Sequence, residues 1–285
     1  MAAIAPDLRW DLPLRLLGAL HYLALAEDVD PWADVPSVLA ERAEWIRRFV
    51  SEQGVQTNEV RRSWGLLPAF LLLASETGHP LDLIELGPSA GLNLVWDRYR
   101  YRYDGTQWGP EDARLELEGE VRRAFPPELL DIRPEVRRRR GIDLDPIDVT
   151  SEQGALLLEC FVWADQLERL ERLRLAIDTL RDDAPELIAG DYVELLPELL
   201  EQRDEAAITV VFQTASLGYV PEERRAELYR EIESAGGRGA LAFLTSAFDP
   251  DVEDCWPLEL TVWPGAETRR IAFLDFHGAW LEWLL

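Results

Sequence analysis

The fold of this chain is decided by residues 81–91, which read LDLIELGPSAG. An apolar run, Leu81–Leu86, leads directly into a turn that contains Gly87 and Gly91, and an amphipathic segment follows at residues 92–99. A short apolar run bounded by turn residues is typical of a strand that is buried on both faces. Glycine lets the backbone approach a ligand closely, and the start of a helix offers free N–H groups. The stretch therefore predicts a strand, a glycine turn suited to a nucleotide-like ligand, and a helix.

The same alternation continues along the chain. Further apolar runs lie at residues 141–144, 186–189, 208–212 and 240–244. Charged amphipathic segments separate the runs, and helices are expected at residues 92–99, 154–163, 167–181 and 221–235. Strands that alternate with helices are typical of a parallel sheet with helices on both faces. We therefore expect residues 81–285 to form an α/β, Rossmann-like domain with a mostly parallel sheet.

Three regions depart from this alternation. Residues 1–80 carry leucine at mixed three- and four-residue steps, which predicts a helical N-terminal annex, a cap that roofs the ligand cleft. Residues 99–140 alternate Tyr with Arg and then Leu with Glu, and we expect an inserted meander or hairpin there. Near the C-terminus, two alternating runs are joined at Pro264 and Gly265, which predicts an antiparallel pair of strands.

Composition limits the classes of partner. The 285 residues include 54 acidic and 29 basic side chains, the basic ones all Arg, for a formal net charge of −25. A field of that sign repels nucleic-acid backbones and anionic membrane surfaces, so we expect neither as a partner. The longest strongly apolar run, residues 66–74, is too short to cross a bilayer, and the first residues show no secretory leader. We expect a cytoplasmic protein with a small-molecule substrate.

Cysteine and histidine are too sparse for a metal centre. Cys160 and Cys255 are far apart in sequence, and the 3 His are scattered, so neither a disulfide framework nor a metal site is expected. The run of four Arg at residues 137–140 is expected to form salt bridges in so acidic a chain.

Carboxylates follow the second and third predicted strands. Asp143 and Asp145 lie at the end of the run at residues 141–144, and Asp191 follows Glu186–Ala189. Because the carboxyl ends of parallel strands meet at one edge of a sheet, we expect these acids near the glycine turn. A carboxylate there can accept hydrogen bonds from a ribose, although each Asp can equally cap the helix that follows it.

In their order, these motifs resemble class I S-adenosylmethionine-dependent methyltransferases over roughly residues 81–245. The resemblance implies S-adenosylmethionine as cofactor and a methyl-transfer activity. It also implies a set of cofactor-binding residues: Glu85, Gly87, Ser89, Gly91, Asn93, Asp143, Asp145, Asp191, Phe212 and Gln213.

The resemblance also implies roles for these residues. The glycine turn, with Glu85 before it, would shape the pocket for the methionine part of the cofactor. Asp143, with Asp145 as the neighbouring candidate, would accept hydrogen bonds from the ribose hydroxyls. Asp191 would face the adenine amino group. The transferable methyl group would be bordered by the two residues at the end of the fourth strand, Phe212 and Gln213.

A narrower resemblance covers most of the chain. The pieces at residues 55–61, 87–94, 97–101, 141–148 and 277–278 are similar to a bacterial family of uncharacterised proteins, a domain of unknown function with a methyltransferase-like fold. One departure concerns the turn itself, where Pro88 removes a backbone donor. That loss suits a sulfonium amino acid better than a dinucleotide phosphate.

The residues that would bind the methyl acceptor are less clearly indicated by the sequence. Methyl transfer depends chiefly on alignment, and where the acceptor must lose a proton, Glu59, Tyr219 or His277 is a candidate base. Residues 57–61 form a polar knot between apolar helices, so Thr57, Asn58 and Arg61 are candidate substrate contacts. Asn and Glu in this knot can equally be a helix-capping arrangement.

Two alternatives stay open. Residues 87–91 also read G-x-S-x-G, the nucleophile elbow of α/β-hydrolases, with Ser89, Asp249 and His277 in a permitted order. That fold expects several strands before the elbow, where this chain is predicted to be helical. The second alternative is a non-catalytic ligand-binding protein on a methyltransferase scaffold, because a fold does not dictate a function.

Overall fold

The computed structural model describes residues 11–27, 30–246, 251–252 and 254–285. Its α-helices are α1 (Leu12–Glu27), α2 (Val35–Glu41), α3 (Ala43–Glu52), α4 (Arg62–Thr77), α5 (Glu152–Cys160), α6 (Leu167–Leu180), α7 (Tyr192–Glu201) and α8 (Glu222–Gly236). Its strands are β1 (Leu81–Leu86), β2 (Arg100–Tyr103), β3 (Thr106–Trp108), β4 (Glu116–Glu118), β5 (Glu120–Arg123), β6 (Val136–Asp143), β7 (Glu186–Ala189), β8 (Ile208–Thr214), β9 (Leu241–Ser246), β10 (Trp256–Trp263), β11 (Glu267–Leu274) and β12 (Trp280–Trp283). Short 3₁₀ helices lie at Leu92–Arg98, Pro127–Asp131 and Ser216–Tyr219. No helix within these ranges is long and apolar enough to cross a bilayer.

One large sheet organises the molecule. Over the described residues it has 9 strands in the order β5-β12-β11-β10-β9-β8-β1-β6-β7. The five strands from β7 to β9 run parallel to one another. β10, β11 and β12 continue the sheet in antiparallel fashion, and β5 pairs in parallel with β12 at the edge. The protein is therefore a mixed α/β chain with a large, mostly parallel sheet.

The order of the parallel strands creates a topological switch point. From β1 the chain moves to β6 and β7 on one side, and it then returns to β8 and β9 on the other side. In open α/β sheets, the crevice at the carboxyl ends of the strands beside such a reversal is the usual place for a ligand. Here that place lies between the loop after β1, which begins at Gly87, and the loop after β8, which begins at Ala215.

Helices cover both faces of the sheet. Alternate residues of β1 serve the two faces, since Leu81 and Leu83 pack in one core cluster while Ile84 and Leu86 pack in the other. α4, α5 and α6 contribute to the first cluster, and α7 and α8 contribute to the second. Burial on both faces explains why β1 is apolar at nearly every position rather than at every second one.

The N-terminal helices divide between a cap and the main core. α1 and α3 form a separate cluster with the end of α5, which includes Phe49 and Phe161. α4, which the sequence assigns to the cap at residues 1–80, instead belongs to the core beneath the sheet. Its Phe70 ring stacks on Trp96, with centroids 4.7 Å apart. α4 is buried around most of its circumference because it is apolar on nearly all sides.

The inserted region is a small sheet with an aromatic inner face. β3, β2 and β4 form a three-stranded sheet, and β5 leaves it to join the edge of the large one. Tyr99, Tyr101 and Tyr103 point inward, and each hydroxyl donates to a backbone carbonyl oxygen. The Tyr–Arg alternation thus follows the two-residue period of a strand, with Tyr buried and Arg facing outward.

Most predicted elements are confirmed, with some corrections. β1 and β7 have the predicted bounds, and the antiparallel pair at Pro264 is β10 with β11. The second strand begins at Val136 rather than at residue 141, and the segment after β1 is a 3₁₀ helix with a kink at Val95. The sequence analysis missed α7 and β12. Ion pairing of the Arg run at residues 137–140 is confirmed, to Glu135, Asp204, Asp82, Asp97 and Asp183.

Candidate functional site

The glycine turn after β1 is tightly packed. Gly87 and Gly91 have φ angles of 71° and 81°, in the region that favours glycine. A Cβ atom added to Gly87 would lie 2.5 Å from the Cβ of Ser216, and one added to Gly91 would lie 2.9 Å from Cγ of Pro185. The glycines therefore let the loops after β8 and before β7 close against the turn.

Asp143, at the end of β6, is bonded to that turn. Its Oδ2 accepts a hydrogen bond from the Ser89 backbone N–H at 2.8 Å, and its Oδ1 accepts one from the Asp145 N–H at 3.0 Å. A carboxylate offers about four lone-pair sites, so two backbone bonds leave acceptor capacity on both oxygens. Asp145 itself is exposed, and its carbonyl oxygen accepts a hydrogen bond from the side chain of Gln56.

Asp191 lies at the same edge, but both of its carboxylate oxygens already accept hydrogen bonds from the protein. Its Oδ1 accepts a hydrogen bond from the Val193 N–H and caps α7, and its Oδ2 accepts one from Arg224 at 2.8 Å. Burial raises the pKa of Tyr192 to about 12, and the charges of Asp191 and Asp143 add to that rise. The two acids therefore flank one tyrosine at the carboxyl edge of the sheet.

Glu85 is the most strongly perturbed acid of the site. It lies near the end of β1 and is 2% exposed. Burial raises its pKa to about 8; the amide of Asn93 opposes the rise, the charge of Asp143 adds to it, and the guanidinium of Arg62 opposes it. Its Oε2 has no hydrogen-bond partner in the described part of the chain. At pH 7 the carboxyl group is therefore mostly protonated.

Packing accounts for the predicted residues at the end of β8. Phe212 is fully buried, and its ring meets Phe70 edge-on at 5.4 Å. The Gln213 amide nitrogen donates to Thr245 Oγ1 and to the Ser246 carbonyl oxygen, while its oxygen accepts a hydrogen bond from the Leu217 N–H. These contacts explain both residues without a ligand.

Residues 53–61, which we call the strap, cross the carboxyl edge between α3 and α4. Asn58 Oδ1 accepts a hydrogen bond from the Leu92 N–H at 3.0 Å, at the start of the 3₁₀ helix after the glycine turn. Glu59 Oε1 accepts one from the Arg61 N–H at 3.2 Å, and Arg61 Nε donates to the Glu118 carbonyl oxygen. The polar knot thus contains the capping contacts that the sequence left open, and it covers the glycine turn.

A cleft of about 1290 Å³ lies beside the strap. Its walls come from α1, residues 160–172, the strap and the loops after β8 and β11. The predicted residues Thr57, Glu59, Arg61, Tyr219 and His277 all line it. The structure therefore brings the three candidate bases to one cavity, together with two of the three candidate substrate contacts.

Glu59 and His277 form the polar centre of the cleft. His277 Nδ1 lies 3.9 Å from Glu59 Oε2, which is also 2.9 Å from Nε of Arg169. The surrounding protein desolvates the imidazole and lowers the pKa of His277, and the charge of Glu59 opposes that shift. The ring is therefore neutral at pH 7 and able to accept a proton. Tyr219 is 69% exposed at the opening.

Comparison with known proteins identifies a family. A family model described as an uncharacterized protein conserved in bacteria (DUF2332) matches residues 5–283. The chain belongs to this family. A search of curated proteins finds no match. The family match confirms that the chain belongs to an uncharacterised bacterial family, as the narrower resemblance predicted, and it does not bear on the methyltransferase-like fold.

The sequence analysis missed three cleft residues of this DUF2332 chain. Arg62, Arg169 and Arg172 line the cleft but were not singled out. Arg169 and Arg172 are three residues apart on α6 and so share one helical face. That spacing was visible in the sequence, but the element that the face approaches was not.

The geometry gives the hydrolase alternative no nucleophile–base pair. Ser89 has a φ of 56°, and its Oγ is buried without a hydrogen-bond partner among the residues that the structure describes. An activated serine needs a base within hydrogen-bond reach. The candidate base His277 has Glu59 as its neighbour instead. Asp249 lies outside the described residues.

Proposed function

We propose that this DUF2332 chain is an S-adenosylmethionine-dependent methyltransferase that acts on a small-molecule acceptor in the cleft. The observation that carries the proposal is Glu85, at the strand reversal, with a buried oxygen that has no partner within the described ranges. Such an atom is uncommon in a folded protein and calls for an explanation. A cationic ligand would supply the missing partner, and S-adenosylmethionine carries both an ammonium and a sulfonium group.

The residues at the turn fit part of this cofactor. Glu85 would bind the ammonium group, and Asp143 has lone pairs left for the ribose hydroxyls. Asp191 would have to exchange its ion pair with Arg224 for the predicted adenine contact. The strap covers the turn, so cofactor binding requires the hydrogen bond between Asn58 and Leu92 to open.

In this proposal the methyl acceptor binds in the cleft. S-adenosylmethionine supplies an electrophilic methyl group when it is bound. The protein then has to hold the acceptor in line and to take up any proton that the acceptor loses. Neutral His277 is suited to that second task, because the carboxylate of Glu59 at 3.9 Å would stabilise the imidazolium that forms.

Calorimetric titration of S-adenosylmethionine into the full chain tests the proposal. We expect binding, and we expect Glu85→Gln to weaken it about 10- to 100-fold, the range of a hydrogen bond to a charged group. Gln has the size of Glu and resembles the protonated form present at pH 7, so the variant should fold. Glu233→Gln, an exposed acid on α8, is the matched control.

The same titration has a second readout. Because Glu85 is protonated at pH 7, its ionisation in the complex requires the release of one proton to the buffer. The measured heat should therefore depend on the ionisation enthalpy of the buffer for the native chain and much less for Glu85→Gln. Absence of binding by the native chain would refute the methyltransferase proposal. Unchanged affinity in the variant would remove Glu85 from it.

A further inference from the structure

The large cleft has two chemically unlike walls. Leu14 and Leu17 of α1 and Phe161 after α5 form an apolar wall, whereas Arg62 and Arg172 lie among the polar residues. We propose that the cleft binds a small organic acid with one carboxylate group, held by Arg62 and Arg172, and an apolar body that packs against α1 and Phe161. Binding of the acid stands independently of the cofactor, whereas its role as the methyl acceptor rests on the proposed function.

Arg172 has a buried nitrogen that the described part of the protein does not satisfy. Its Nε is buried and has no hydrogen-bond partner among the described residues. Burial lowers the pKa of Arg172, with Glu59 opposing that shift, yet a guanidinium remains charged. A desolvated cation is costly unless an anion pairs with it. In a chain with 54 acidic residues, an arginine at a cavity whose buried Nε has no partner within the described ranges points to an anion from outside.

Arg62, which lines the same cleft, is held in place by the protein. Its Nε donates to the Phe276 carbonyl oxygen at 2.9 Å, and the guanidinium lies 5.0 Å from the Trp256 ring centroid. Burial lowers the pKa of Arg62, mainly by desolvation. These contacts orient the guanidinium of Arg62, which is one of the residues that line the cleft. A preoriented guanidinium loses little entropy when it binds a planar carboxylate.

The local charge selects a monoanion. Four arginines line the cleft, and three carboxylates, Glu59, Asp165 and Glu168, face the same space. His277 is neutral at pH 7 because its pKa is lowered. The cleft therefore carries a surplus of one positive charge inside a chain whose net charge is −25. One surplus charge matches a carboxylate better than a phosphate dianion.

The apolar residues of the lining are suited to an apolar body. A Cβ atom added to Gly18 would lie 2.7 Å from the ring of Phe161, so the glycine allows α1 to approach that ring. Trp163 and Leu167 line the cleft with 45% and 70% of their surface exposed. Large exposed apolar side chains gathered at one cavity are typical of a binding site.

Binding of 4-phenylbutyrate to the full chain, without S-adenosylmethionine, tests the inference. The neutral amide 4-phenylbutyramide and inorganic phosphate serve as comparison ligands, measured by calorimetry and saturation-transfer NMR. We expect the acid to bind at least tenfold more tightly than the amide and phosphate to compete poorly. Arg172→Gln should weaken binding of the acid at least tenfold and binding of the amide only slightly. Trp163→Ala should weaken binding of both ligands.

Arg225→Gln is the matched control, because Arg225 also has a buried, unpartnered Nε among the described residues but lies outside the cleft. Arg172→Lys keeps the charge and should show intermediate affinity, which separates lost binding from lost folding. No binding of the acid, equal binding of acid and amide, or equal effects of Arg172→Gln and Arg225→Gln would overturn the inference. Binding of the acid without any binding of S-adenosylmethionine would retain it and refute the methyltransferase proposal.

Discussion

At the scale of single residues, Glu85 is a carboxylic acid that would be ionised in water at neutral pH, but its buried surroundings oppose the charge. Its pKa of about 8 in the folded protein compares with an ordinary value of 4.5. Between these two pH values the Glu85 side chain is ionised in the unfolded chain but keeps its proton in the folded chain. The free energy of unfolding should therefore fall as pH rises from 4.5 to 8, by at most about 1.4 kcal/mol per pH unit from this one group. Above pH 8 the contribution of Glu85 should be constant.

Glu85→Gln isolates this contribution from all other titrating groups. The variant cannot lose the proton, so its stability relative to the native chain should increase by a few kcal/mol between about pH 5 and pH 8. Urea denaturation of both proteins at several pH values in that range measures the difference. Parallel stability curves for the two proteins would show that Glu85 is ionised in the folded state. The same substitution is expected to weaken cofactor binding, so stability and binding would change in opposite directions.

At the scale of elements, the position of the strap depends on one glycine. Gly278 has a φ of 75°, and a Cβ atom added there would lie 2.3 Å from the Arg61 carbonyl oxygen. Gly105 has a φ of 87° with nothing within 4 Å of its added Cβ. Gly105→Ala should thus cost about 1 kcal/mol from backbone strain alone. Gly278→Ala should cost clearly more and displace the strap.

Hydrogen exchange measures that displacement. Amides of residues 53–61 should exchange faster in Gly278→Ala than in Gly105→Ala, because the hydrogen bonds that hold the strap are weakened. Affinity for the acid probe should fall in Gly278→Ala only, since Arg62 directly follows the strap in the chain. Equal exchange of these amides in the two variants would mean that the His277–Gly278 turn does not support the strap.

Elements also show what the sequence could and could not predict. β1 is predictable because its burial on both faces makes four of its six residues apolar, Asp82 and Glu85 being the exceptions. The first half of β6 is not, because it is mostly arginine and several of these arginines have partners distant in sequence: Arg139 pairs with Asp97, 42 residues away. Glu59 was predictable as part of a polar segment between apolar helices, whereas Tyr219 and His277 were candidates by residue type alone. Their meeting in one cleft was not predictable, because it depends on how α1 and α6 pack around the strap.

At the scale of the whole molecule, surplus negative charge opposes the compact state. The chain has 54 acidic and 29 basic residues, so at least 25 carboxylates have no arginine of their own. Many ion pairs, such as that of Arg42 with Glu27, are exposed on both sides and stabilise the fold by at most about 1 kcal/mol each. Repulsion among the unpaired carboxylates should therefore outweigh the exposed pairs at low ionic strength.

Salt should consequently stabilise the fold and weaken the binding of an anionic ligand in the cleft. Raising NaCl from about 0.05 to 0.5 M shortens the screening length to well below 10 Å, which reduces repulsion among exposed carboxylates. The melting temperature measured by calorimetry should rise by several degrees. Affinity for 4-phenylbutyrate should fall over the same range, because the attraction of Arg62 and Arg172 is screened as well. A melting temperature that falls with salt would mean that the ion pairs, and not the surplus charge, dominate the electrostatic free energy of the fold.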